Sequence, residues 1–240
     1  MKWLLILVSL GAFAQENTET REMVGQLGNR TALLVLHASK NADGSSRLTG
    51  EYIVLPAMQR RFVDGESSPE IGVTTLREGT TPILFGREPT GELRGSLRGG
   101  VFRGIRYGPG GQERERFELS EEFPEMSGYS QTVRCDARDA GYSSTLSYAV
   151  AAGKLTSFEW RAEVASSGHN CNVLTKQQRT YKGGLQFAAG RCSVTLRDLG
   201  DYIRVSSENC AEACGSQAYL EPVLVDRRGG CVPLRPQARQ

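Results

Sequence analysis

Few side chains in this sequence can carry acid-base or nucleophilic chemistry, and those few are poorly grouped. Of 240 residues only two are histidines, His37 and His169. His37 sits in the apolar run Thr31 to Ala38, where an imidazole is expected to be structural. His169 stands in Ser-Ser-Gly-His-Asn-Cys171, beside a thiol, but a Cys-His nucleophile needs a free thiolate. Cys171 belongs to an even set of six cysteines and is expected to be oxidised. No Gly-x-Ser-x-Gly elbow, no Ser-x-x-Lys with its partner motifs and no His-Glu-x-x-His occurs. Carboxylates are plentiful at Glu113, Glu115, Glu118, Glu121 and Glu122. Two carboxylates act on a glycosidic bond only when about 5 to 10 Å apart across a cleft, which the sequence leaves open. Gly108-Pro-Gly-Gly111 is followed by neither Lys-Ser/Thr nor a helical pattern, so it predicts a loop and no phosphate cradle. No cofactor is expected.

Arginine is the one charged residue that clusters. Arg87, Arg94, Arg98, Arg103, Arg106, Arg114 and Arg116 crowd one segment, with Arg60 and Arg61 nearby. Arg94, Arg98, Arg103 and Arg106 are the candidate surface for an anionic ligand: an anionic sugar, a lipid head group or an acidic protein. The competing reading is a solvated sheet face neutralised by Glu92, Glu113, Glu115 and Glu118. The tail, with Arg227, Arg228, Arg235 and Arg239, is basic but short and broken by proline, and is expected to fray. The formal charge is only +2, so no nucleic-acid partner is expected.

The cysteines and the N-terminus point to one compartment. Lys2 precedes the apolar run Trp3 to Leu10, and Ala12-Phe13-Ala14 makes an A-x-A site, so residues 1–14 are expected to be a secretory signal peptide. Removing them takes away Lys2 and no acid, leaving the balance near neutral. The apolar run is shorter than the ~20 residues a spanning helix needs, so no transmembrane segment is expected. Cys135, Cys171, Cys192, Cys210, Cys214 and Cys231 are then read as three disulfides, which persist in an oxidising, secreted or periplasmic setting. Paired Cys-x-x-Cys knuckles are absent, so neither a zinc site nor a redox thiol is expected. Fifteen pairings are open to six cysteines. Local pairing is expected, with Cys192 joined to Cys210 or Cys214, Cys231 taking the other, and Cys135 closing on Cys171.

The elements that must hold these groups are strands. Residues 15–29 are polar and unpatterned and read as a loose leader. From Thr31, short alternating runs recur about every ten residues, among them Leu48 to Val54, Ile71 to Arg77, Thr81 to Gly86, Glu92 to Arg98 and Val101 to Tyr107. Gly99-Gly100 suits a two-residue hairpin. Leu48-Thr-Gly50, Leu93-Arg-Gly95 and Phe102-Arg-Gly104 each set glycine two after an apolar residue, which suits a strongly curved sheet. Residues 30–120 are therefore expected to form an all-β antiparallel meander or small barrel. Pro124 and Gly128 break the rhythm at 121–130, read as a linker. Residues 131–235 are expected to be a disulfide-stapled antiparallel β domain, with Phe158, Trp160, Ala162 and Val164 facing its core.

The run Cys192-Ser-Val-Thr-Leu, then Tyr-Ile-Arg-Val-Ser, then Cys210-Ala-Glu-Ala-Cys214-Gly215 resembles a C-terminal module of uncharacterised bacterial envelope proteins, some described as lysozyme inhibitors. The likeness covers about forty of the 240 residues and rests on cysteine and strand spacing. It implies an envelope compartment and a β module. Ser127-Gly128-Tyr129 matches a Ser-Gly-x-x-Tyr inhibitory loop only in part, so no functional residue is carried over. The expected function is non-catalytic binding at the cell envelope, with an envelope protein or a glycan as partner. A lysozyme-inhibitor-like role and a hydrolase using a carboxylate pair are the alternatives. Oligomeric state is not legible.

Overall fold

The computed structural model describes residues 18–68, 72–81, 88–139, 141–179, 181–215 and 220–234. The expected signal segment, Arg87, Arg235, Arg239 and residues 82–86 of the strand expected at Thr81 to Gly86 lie outside them. The fold is all-β, with antiparallel pairing throughout. Eight strands close into a barrel: β1 (Glu19–Leu27), β2 (Arg30–Lys40), β3 (Ser46–Val54), β4 (Gln59–Ser68), β5 (Val73–Gly79), β6 (Gly91–Arg98), β7 (Val101–Tyr107) and β8 (Arg114–Ser120). Each pairs with the next, and β1 pairs back onto β8 through Val24 to Leu27.

Period-two alternation decides what fills the barrel. Met23, Leu34, Leu36, Leu48, Leu76, Leu93, Phe102, Phe117 and Leu119 point inward and are buried. The glycine echo falls on the same inward positions. Gly95 faces Gly104 across β6 and β7, and a Cβ on Gly104 would lie 2.6 Å from the Gly95 Cα. Without side chains there, the two strands can bend sharply enough for eight strands to close.

The leader expected to be loose is instead the closing strand. Its polar residues hid an alternation in which Met23, Gly25 and Leu27 face the interior while Glu22 and Val24 face out. An open meander would have exposed the edges of β2 and β8.

The second half continues as one long meander folded into two layers. The first sheet holds β9 (Gln131–Asp139), β10 (Tyr142–Ala151), β11 (Lys154–Val164) and β12 (His169–Thr175). The second holds β13 (Gln177–Arg179), β14 (Leu185–Ala189), β15 (Cys192–Asp198), β16 (Tyr202–Glu208), β17 (Val223–Asp226) and β18 (Cys231–Pro233), with the short helix α1 (Ala211–Cys214) between β16 and β17. Trp160, Phe158, Tyr148, Phe187, Leu196 and Ile203 pack between the layers. The segment read as a linker is packed too, since Phe123, Met126 and Tyr129 are buried.

The disulfides correct the expected pairing. Cys192 does join Cys210, one of its two expected partners, but Cys171 joins Cys214 and Cys135 joins Cys231. Proximity in sequence misled because β9 and β12 are opposite edges of one sheet, which holds Cys135 and Cys171 apart. The pairs are nested, the first cysteine bonded to the last. No helix among the described residues is long and apolar enough to cross a membrane.

The second half docks on the outer wall of β1 to β3. Leu33, Ile53 and Leu55 of the barrel cluster with Phe123, Leu199, Tyr202 and Leu224. Beside them Glu22 forms ion pairs with both Arg197 and Arg204.

Candidate functional site

At the barrel end that carries the β1–β2, β3–β4 and β7–β8 turns, the apolar filling gives way to charge. The last inward positions there are Arg30 on β2, Gln59 and Arg61 on β4, Glu78 on β5, Arg106 on β7 and Glu115 on β8. The same alternation that turns Leu and Phe inward lower down turns these side chains inward at the rim.

Glu78 is fully buried and accepts from Arg106, whose Nε lies 2.9 Å from Oε1 and Nη2 3.0 Å from Oε2. Arg106 also reaches Glu115 at 3.3 Å and the Tyr52 hydroxyl at 3.3 Å. Arg30 donates to both oxygens of Glu115 at 2.8 and 2.9 Å. Gly91 makes room for this cluster, since a Cβ there would come within 2.8 Å of Glu78 Oε2. Burial works against the Arg106 charge, but the bonds to Glu78 and Tyr52 outweigh it and hold the guanidinium more firmly protonated than usual. Burial, reinforced by the Glu78 charge, pushes the Tyr52 hydroxyl up, so it stays a neutral donor.

Above this cluster is an open basin of about 530 Å³ lined by Arg30, Arg61, Arg106, Arg114, Gln59 and Tyr52, with Glu113, Glu115, Leu27 and Val54. Its volume falls in the range of roughly 300 to 1,000 Å³ usual for ligand pockets. Outside the wall a second depression of about 460 Å³ carries Tyr107, with the guanidiniums of Arg94 and Arg114 5.9 and 5.7 Å from its ring centre. Arg114 borders both.

The candidate arginine surface is thereby divided. Only Arg106 enters the barrel. Arg94 and Arg98 share the outer face of β6, and Arg103 lies beside them on the outer face of β7. Arg94 pairs with Glu92 at 2.9 Å, and Arg103 faces Glu118 in register. Acidic residues thus stand beside two of these outer arginines, Arg94 and Arg103.

The histidines fall elsewhere. His169 bonds through Nδ1 to the Ser167 carbonyl at 3.1 Å, and its neighbour Cys171 is oxidised. His37 lines a cavity of about 340 Å³ between barrel and second half, together with Glu22, Glu51, Arg204, Ser206 and Glu208. Burial raises the Glu51 carboxyl against the pull of Arg60, Arg204 and His37, and burial lowers Arg204 to about 10. Tyr129, from the partial inhibitory-loop match, is turned inward, its hydroxyl 2.8 Å from that of Tyr148.

Arg30, Tyr52, Gln59 and Glu78 were not singled out in the sequence. Parity could have found them, because each stands an even number of residues from an inward apolar residue of its own strand.

Comparison with known proteins adds no relative to this picture: no family model, no curated protein and no solved structure matches the chain.

Proposed function

We propose that the protein is an exported, non-catalytic binding protein of the bacterial cell envelope that takes a polar small molecule or glycan end at the open mouth of its barrel. The observation that carries this is the state of the two inward carboxylates at the mouth, since Glu113 on the exposed rim has, among the described residues, no second free carboxylate in the basin to act with it. Glu78 is held by Arg106, and Glu115 by Arg30 and Arg106. A general acid, general base or nucleophile needs a carboxyl free to exchange a proton or attack. A carboxylate locked between guanidiniums does neither, whereas a rigid, pre-arranged polar basin suits recognition. The three disulfides support the exported setting. In the partial inhibitory-loop match, Ser127 and Gly128 are exposed but Tyr129 is buried, so its side chain is not presented to a partner.

The test is saturation-transfer NMR of the oxidised full chain against soluble glycan fragments of an envelope extract, with reducing ends assayed in parallel. Saturable binding with fragments recovered intact is the expected result. Release of reducing ends would overturn the non-catalytic assignment, and absence of binding by every fraction would overturn the ligand class.

A further inference from the structure

We infer that the basin at the barrel mouth is an anion site, and that its ligand is a small sugar acid or sugar phosphate whose negative group is held by Arg61 with Arg114. This rests on the binding role proposed above and names the ligand's chemistry. The four arginines of the basin divide by what they already hold. Arg30 is held on Glu115 through Nη2, and Arg106 gives all three of its nitrogens to Glu78, Glu115 and Tyr52. Arg61 and Arg114 have no carboxylate within ion-pair distance among the described residues. Arg61 is directly opposite Tyr52 on the inner face of β4, and among the described residues the one hydrogen bond of its side chain is a long 3.5 Å contact to the Arg60 carbonyl. It is half-buried at the wall of the cavity, and most of its five donors have no protein partner among the described residues.

The charge balance favours an anion. Arg30 and Arg106 are balanced by Glu78 and Glu115, which leaves Arg61 on the inner wall and Arg114 at the rim, its guanidinium resting on Tyr107, against Glu113 alone. A guanidinium fork matches the paired oxygens of carboxylate or phosphate, and part-buried walls strengthen the attraction relative to water. The rest of the lining fits hydroxyl groups. The Gln59 amide both donates and accepts, Tyr52 offers a hydroxyl, Glu113 and Glu115 accept, and the apolar surface is limited to Leu27 and Val54. The volume of about 530 Å³ suits one or two sugar units better than a long chain.

The experiment is calorimetric titration of the oxidised full chain with four probes: D-glucuronate, glucose 6-phosphate, inorganic phosphate and glucose. Both anionic sugars are expected to bind, more weakly as salt is raised, and glucose at least tenfold more weakly than either. The tighter of the two anionic sugars tells carboxylate from phosphate, and tight binding of phosphate alone would overturn the sugar. Arg61→Gln should weaken the anionic probes at least tenfold and Arg61→Lys less, with unchanged circular dichroism. Arg114→Gln serves as the second variant and should weaken them several-fold. Equal affinity for glucose would overturn the anion site while leaving the binding role standing. Failure of both anionic sugars to bind, or unchanged affinity in both glutamine variants, would overturn the site itself.

Discussion

Arg106 was one of four arginines that looked alike in sequence, and parity alone sets it apart: it stands four residues after the inward Phe102, whereas Arg103 stands one after it. Its guanidinium is what makes a fully buried Glu78 tolerable, since a buried charge without a partner is costly. Replacing Arg106 by Met is therefore expected to cost about 3 to 5 kcal/mol, read from urea unfolding. The double change Glu78→Met with Arg106→Met should recover most of that loss, because it removes both charges. If the single variant unfolds like the wild type, the pair does not carry the stability assigned to it. The pair's partners were not legible beforehand. Glu78 and Arg106 come from strands that are not neighbours, and they meet over the bare backbone of Gly91 on the strand between them, a contact that no local pattern announces.

Strands were the legible element, because alternation and glycine punctuation are local signals, and the Gly50, Gly95 and Gly104 echo did mark the inner face of a curved sheet. Edges were not legible, because nothing local says which two strands end a meander. In the barrel the edges β1 and β8 meet through a ladder. In the second half, β9 and β18 each end a separate sheet, with no ladder between them, and Cys135–Cys231 joins them. That bond spans 96 residues, and a loop of about 100 residues is worth about 4 to 5 kcal/mol in the chain-entropy model. Changing both cysteines to Ala should lower the unfolding free energy by roughly that amount. Trp160, fully buried between the sheets, reports the transition by fluorescence. An unchanged midpoint would mean that packing across the edges holds the layers without the bond.

The whole molecule joins its halves through an interface that buries charge. Glu51 faces the cavity there, 3.4 Å from Arg60, and burial lifts its carboxyl above the usual value near 4.5. The folded chain thus keeps a proton that the unfolded chain has released, and as pH rises through that window stability falls. Glu51→Gln lacks this loss. Its stability relative to wild type should rise between pH 4 and pH 7, measured by denaturant unfolding at each pH, and a flat or falling difference would assign the effect elsewhere. The nested disulfides bear on how this molecule is made. A chain that emerges N-terminus first presents Cys135 and Cys171 together long before Cys214 or Cys231 exists outside. An oxidant that joins cysteines in order of appearance would lock those two, which belong on opposite edges of one sheet. The native set is nested instead, with Cys192–Cys210 innermost and Cys135–Cys231 outermost. Where the chain is oxidised in that order, reaching the native set requires thiol exchange that breaks the early bond.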